Sequence, residues 1–208
     1  MVDDAESAGY PRFATRGRTF VYLLPCRDED ILKIGFSRDP LQRMHALHRR
    51  YFDFFDLERA LLIETERLSE ARRIERTLIR RFAEHRSPAP LVVRDAAAGY
   101  TEWFRGVAGQ AEALARGIAA EEGWPLHAPL SSWLQRLFHD RADAFHDWSA
   151  RLLDSIEYER FNLPAEAQRP DTARVLRTLL DACAAVNLEV AALVPARVVA
   201  WYRSDGFH

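Results

Sequence analysis

Lysine is almost missing from this chain: Lys33 is the only one among 29 basic residues, and the rest are arginine. Cysteine is scarce too, and Cys26 and Cys183 are too few and too far apart for a disulfide framework or a thiolate metal site, which suits a reducing cytosol. No apolar run approaches the roughly 18 residues that a membrane-spanning helix requires. The opening "MVDDAESAGY" is acidic where a signal peptide would be basic. A cytoplasmic protein without membrane contact is the expectation. There is no glycine-rich phosphate loop, no H-E-x-x-H and no nucleophile elbow, so three familiar routes to hydrolysis are excluded. Internal repeats and low-complexity tracts are absent as well. Net positive charge is lacking: the formal charge is -2, which argues against a strongly basic nucleic-acid coat but leaves room for a local basic face. Residues 1–108 carry 19 basic and 17 acidic groups and residues 109–208 carry 10 and 14, so a positive surface belongs in the first half.

What is present is ordinary globular material. With 48% hydrophobic and 29% charged residues over 208 positions, the chain can bury one large core or two small ones. "TFVYLLP" (19–25) and "ILKIGFS" (31–37) flank the polar "CRDED" and read as a β-hairpin. Both runs are apolar on both faces, as in a sheet covered by helices on its two sides. Asp39 can cap a helix and Pro40 suits its first position, with Leu41, Met44, Leu47 and Tyr51 as the apolar face. "LERALLIET" (57–65) is a third strand candidate, and Ser69 is the expected cap of "SEARRIERTLIRRFAEH". "LVV" (91–93) suggests a brief extended piece, and Thr101 a cap for a helix starting at "EWFRGV". Beyond about residue 123 the texture is helical, with Trp133, Leu137, Phe145, Trp148 and Leu152 at helical spacing.

Two groups of residues invite chemistry. If the hairpin turn has an even number of residues, "CRDE" for instance, Tyr22 and Lys33 face one another on one side of the sheet. A phenol beside an ammonium can bind phosphate or relay a proton; the plain alternative is a core tyrosine and a snorkelling lysine. In the helix of residues 69–85, Ala71, Ile74, Leu78, Ile79 and Phe82 form an apolar arc that includes Glu75. An unpaired buried carboxylate is costly, so Glu75 calls for a cation, a metal or a hydrogen-bond network. Arg72, one turn earlier, is the plain structural partner. Arg43 taken singly is a solvated helix residue, and His45 with His48 make a poor metal site.

In order, "FVY" (20–22), "KIG" (33–35), "SRDPLQR" ending at Arg43, Glu75 in "RIERTLIRRF" and "EWF" (102–104) resemble the GIY-YIG nuclease superfamily, in particular its divergent phage and bacterial branch. The resemblance covers residues 18–106. It implies hydrolysis of a nucleic-acid phosphodiester, DNA above all, with one divalent ion, Mg²⁺ or Mn²⁺. On that resemblance Glu75 would hold the metal, Tyr22 would position or deprotonate the attacking water, and Arg43 would neutralise the scissile phosphate. Lys33 occupies the place of a second tyrosine; unlike arginine, a partly buried lysine can titrate or serve as a compact phosphate-binding charge. Codon composition is the rival account of its solitude. Gly35, Ser37, His48 and His85 complete the set as substrate-binding candidates. The chain departs from the pattern in lacking glycine in "FVY", in having Ile79 where histidine is common, and in offering no clear late asparagine.

The fold expected is α+β: a tail over 1–16, a GIY-YIG-like unit over 17–122 with a three-stranded antiparallel sheet flanked by helices, and an all-α unit over 123–208. The helical part is available for substrate contacts, a protein partner or self-association, with Trp124, Trp133, Trp148 and Trp201 as a docking surface or, more plainly, a helical core. A nuclease is the first reading. A nucleic-acid-binding module that no longer cuts and a protein-interaction module are the alternatives.

Overall fold

The computed structural model describes residues 17–93 and 102–204. The expected tail over 1–16 and the Thr101 cap lie outside these residues. The class is α+β, and the sheet is larger than expected: five antiparallel strands in the order β4-β2-β1-β3-β5. They are β1 Thr19–Pro25, β2 Ile31–Ser37, β3 Leu61–Thr65, β4 Trp103–Arg105 and β5 Leu126–His127. The expected three strands form its centre.

The β1–β2 turn has four residues, but they are residues 27–30 and not 26–29. The reason is that the end of β1 is claimed from the side. Cys26 bridges to Phe55, the Arg27 N–H donates to the Phe54 carbonyl (2.9 Å) and the Asp56 N–H to the Pro25 carbonyl (2.8 Å), which carries β1 one residue further. Tyr22 therefore pairs with Gly35 and Lys33 with Leu24. Tyr22 and Lys33 share a face, since the count stays even, but as diagonal and not direct neighbours.

Asp39 caps helix α1 (Pro40–Leu47), its carboxylate accepting from the Gln42 N–H at 3.0 Å with Pro40 in the first turn. Leu41, Met44 and Leu47 are buried there; Tyr51, buried too, opens the short helix α2 (Tyr51–Phe54). The third strand is shorter than "LERALLIET": it starts at Leu61, and residues 57–59 form a turn. Helix α3 (Leu68–Arg81) begins one residue before Ser69, with Arg67 as its cap residue. The Glu70 carboxylate reaches back to the Arg67 N–H at 3.0 Å and ends the contest for that role. "LVV" is a turn with Leu91 and Val92 exposed, not a strand. "EWF" is no helix start: Trp103 and Phe104 are strand residues facing opposite sides of the sheet. The next helix, α4 (Ala108–Glu122), closes on Gly123, whose φ of 71° is the left-handed cap that glycine supplies without strain.

The register separates two faces. Val21, Leu23, Leu32, Ile34, Leu61, Ile63 and Phe104 pack against Ala71, Ile74 and Leu78 of α3 and Ala111, Ala115 and Ala119 of α4. Phe20, Tyr22, Leu24, Lys33, Gly35, Leu62 and Trp103 belong to the other face, which Arg43 of α1 reaches. β5 pairs with β3 through Leu62–His127 and Ile63–Leu126, so the sheet continues past residue 122.

The described chain divides into two compact units, one running to Trp133 and one from Leu134 onward. In the second, helices α6 (Ala142–Asn162), α7 (Pro170–Ala185) and α8 (Ala196–Ser204) follow α5 (Leu130–Asp140). Its core holds Phe138, Phe145, Leu153, Leu176, Leu179, Leu180, Cys183 and Val198; Leu153, and not Leu152, is the fully buried member of that turn. Trp148 stacks on Phe145 at 5.9 Å, and Arg177 covers Trp201 at 5.1 Å. Cys26 and Cys183 are both free and buried, each thiol pushed up to about 12 by burial. Among the described residues, no helix is long and apolar enough to cross a membrane.

Candidate functional site

Five of the residues singled out in the sequence meet around the β1–β2 hairpin. Gly35 is where the phenol of Tyr22 lies across the sheet. A methyl group there would come within 2.3 Å of the Tyr22 hydroxyl oxygen and 2.6 Å of Cζ, so only glycine leaves room for the ring. Arg43, projecting from α1, donates its Nε–H to that hydroxyl at 3.2 Å. The handover from strand to helix that aims Arg43 is fixed by Ser37, whose hydroxyl accepts from the Asp39 N–H (3.0 Å) and donates to the Asp39 carbonyl (2.9 Å). Ser37 thus builds the α1 cap.

Lys33 is 0% exposed, which makes it the most deeply buried cation of the described residues and rules out snorkelling at the sheet margin. Its Nζ donates to Glu102 Oε2 at 2.7 Å and lies 5.0 Å from the centre of the Trp103 ring. Burial lowers its pKa below the ordinary lysine value, against the opposing pull of Glu102. Glu102 is the residue that sequence reasoning missed. The strand pairing places it beside Ile34, whose N–H donates to the Glu102 carbonyl at 3.0 Å. Its signal was present as the one acid of "EWF", hidden by reading that stretch as a helix start.

Glu75 stands on α3 between Ala71 and Leu78, half-buried. It has no hydrogen bond or ion pair among the described residues, so Arg72 is not its salt-bridge partner; the Arg72 guanidinium instead lies 6.0 Å from the Phe36 ring. Desolvation, and then the charge of Glu102, push the Glu75 carboxyl up to about 7, while Lys33, Arg72 and Arg76 act in the opposite sense. Its charge in turn acts on Tyr22 and Lys33. Tyr22 rises above the usual phenol value because it is buried, with Arg43 opposing. Tyr22, Lys33, Arg43, Glu75 and Glu102 form one electrostatically connected cluster.

The two histidines do not join it by any recorded contact. His48 closes α1, stacks on Phe54 at 4.7 Å, and keeps its Nδ1 buried without a partner. His85 is exposed on a short turn after α3. A separate hollow, lined by residues 25–31, Arg59 and Ala108, includes no member of the cluster.

Could the cluster hold a metal? Among the described residues no group of three or more His, Cys, Asp or Glu is arranged to do so, which disfavours an ion caged by protein alone. An acidic group without a partner, in the field of a second carboxylate, is nonetheless the donor chemistry that a hard divalent cation takes up. Mg²⁺ needs only one or two carboxylates when water and phosphate complete its octahedron. The residues fit such an ion.

A small antiparallel sheet braced by helices, with a buried tyrosine bonded to a part-buried arginine and a lysine and two glutamates acting on them electrostatically, defines an α+β domain. Residues 19–119, just under half of the chain, match the family model of the T5orf172 domain, a phage-associated domain found in nuclease-like proteins. That match is compatible with a nuclease-like or DNA-binding role. Comparison with curated proteins and with solved structures gives no match.

Proposed function

We propose that the sheet unit is a metal-dependent endonuclease of GIY-YIG type that hydrolyses phosphodiester bonds in nucleic acid, DNA in the first instance. The observation that carries this reading is Glu75: half-buried, without a hydrogen bond or ion pair among the described residues, and in the field of Glu102. A carboxylate so placed is relieved by a bound cation. Glu75 would hold Mg²⁺ or Mn²⁺, which would supply a water of lowered pKa and charge neutralisation at the phosphate.

The remaining work falls to the chain's own side chains. Arg43 offers a planar guanidinium matched to phosphate oxygens, at the point where Tyr22 already anchors it. Tyr22 keeps its proton at neutral pH, because burial holds it above the usual phenol range. Its hydroxyl accepts from Arg43 and donates toward the attacking water, orienting that water without removing its proton. Lys33 pins Glu102 and balances the second negative charge, so that both carboxylates can be ionised when the metal is present. Gly35 keeps the ring low enough for substrate to approach.

The test is a cleavage assay on mixed DNA substrates across a metal series. Nicking should require Mg²⁺ or Mn²⁺, vanish in Glu75→Gln, and fall roughly a hundredfold or more in Arg43→Ala. Glu75 must shed its proton to bind the ion, so metal affinity should weaken as pH falls through about 7. Cleavage that survives chelation, or that persists in Glu75→Gln, overturns the reading. Salt-sensitive retention of DNA without any cleavage would favour a binding module on the same fold.

A further inference from the structure

Several exposed arginines of the described chain are engaged by local acids. Arg73 is bound at both ends to Glu122 (2.9 and 3.1 Å), Arg116 pairs with Glu112 (2.9 Å), Arg50 with Asp53 (2.6 Å), and Arg197 with Asp154. On the outer side of α3 three arginines fall in a regular row. Arg72, Arg76 and Arg80 stand at i, i+4 and i+8, all exposed, and none has an ion pair among the described residues. Successive members are about 6 Å apart along the helix axis, on the order of the spacing of consecutive phosphates on one strand. The row starts beside Glu75: Arg72 and Arg76 both act electrostatically on that carboxylate, and the Arg72 guanidinium lies 6.0 Å from the Phe36 ring on the α3 side of the sheet. Arg76 donates its Nε–H back to the Arg72 carbonyl at 3.2 Å, and the residue is exposed. In a chain of net charge -2, three neighbouring guanidiniums without an ion pair among the described residues make a local row of positive charge.

We propose that Arg72, Arg76 and Arg80 are the phosphate track along which a nucleic-acid strand leaves the Glu75 site, each arginine contacting one backbone phosphate. This rests on the reading of that site as one that acts on nucleic acid. It adds the direction of the strand, along the outer face of α3, and recognition of the backbone and not of base edges. Binding through the track is therefore independent of sequence and governed by counterion release.

The experiment measures binding of a labelled mixed-sequence DNA oligonucleotide, single-stranded and duplex, to the whole chain in EDTA over a range of salt. For wild type, affinity falls with salt. In Arg72→Gln/Arg76→Gln/Arg80→Gln the slope of log K against log salt should shrink by about 2 to 3, near 0.9 per lost contact on duplex and 0.7 on a single strand. Glutamine and lysine are as helix-compatible as arginine, and circular dichroism checks that the fold is kept. The Arg→Lys triple variant should restore the slope, and Arg73→Gln, which removes a cation already engaged by Glu122, should leave it unchanged. An unaltered slope in the glutamine triple variant overturns the track. So does absence of DNA binding by wild type, or a lysine triple variant that folds and does not recover. A protein that binds with the full slope and never cuts removes the hydrolytic reading and leaves the track. One that cuts normally while the glutamine variant keeps its slope removes the track alone.

Discussion

Each of the two units buries a charged side chain, and they handle it in opposite ways. In the helical unit, Glu159 is 7% exposed and satisfied twice by one neighbour, accepting from the Arg169 N–H at 2.7 Å and from its Nε at 3.2 Å. The acid closes the turn between α6 and α7 and nothing about it is left over. In the sheet unit, Lys33 is buried outright, its partner Glu102 is part-exposed, and a second acid, Glu75, feels Glu102 with no ion pair of its own among the described residues. One carboxylate there is surplus. A fold that only needed stability would have an apolar side chain at residue 75, within an arc of Ala71, Ile74 and Leu78. The contrast separates a charge that serves the fold from a charge that the fold carries at a cost.

The largest expected break in that contrast comes from removing the cations. Lys33→Ala takes away a fully buried amine and leaves Glu102 and Glu75 facing each other, with a loss of about 3 kcal/mol in denaturant unfolding of the sheet unit. Arg169→Ala removes a side chain that is 79% exposed and spares the backbone N–H that Glu159 also uses, so it should cost about 1 kcal/mol. Equal losses would mean that the two charges are held in the same way. Next in size, Gly35→Ala should cost about 1–3 kcal/mol, because the added methyl group displaces the Tyr22 ring and with it the Arg43 hydrogen bond. A thermal shift assay together with the cleavage rate reads both effects, and activity should fall further than stability.

The smallest effect is the sharpest, because it changes sign. The Glu75 carboxyl titrates near 7 in the folded chain against 4.5 ordinarily, so the folded state binds the extra proton between those values. Its favourable contribution is complete below about 4.5 and is lost as pH rises through about 7. Glu75→Gln should flatten that dependence and stabilise the metal-free protein by about 1–2 kcal/mol above neutrality, after allowance for solvent screening of a half-buried group. Glu159→Gln, the same exchange in the other unit, should destabilise by about 1 kcal/mol by weakening a charge-assisted bond. Unfolding curves at two pH values check both, and a destabilised Glu75→Gln would make that acid a structural one.

Local signals were readable where the chain is its own context. Asp39 and Pro40 announced α1, and the 3.6-residue period marked Glu75 as an acid inside an apolar arc. The hairpin strands were evident too, but their register was not. An even turn could be residues 26–29 or 27–30, and the choice was made by residues 54–56 pairing with the end of β1, a contact remote in sequence. "EWF" misled for a similar reason. Its aromatic pair suits a helix or a strand, and the vacant edge of β2 decided for the strand through Leu32–Phe104 and Lys33–Trp103. Glu102 was lost with that misreading. β5, two residues long, has too little pattern to be seen without β3 beside it. His48 and His85 drew notice for their residue type alone, and type carries no information about position.

The burial of Lys33 has a practical corollary. It is the chain's one lysine, and no part of it meets solvent while β4 covers the edge of β2. A reagent that acylates primary amines therefore finds no lysine to attack on the closed fold. The rate at which that single ε-amine becomes labelled is a clock for the opening of this sheet edge, and a ligand that tightens the edge should slow it.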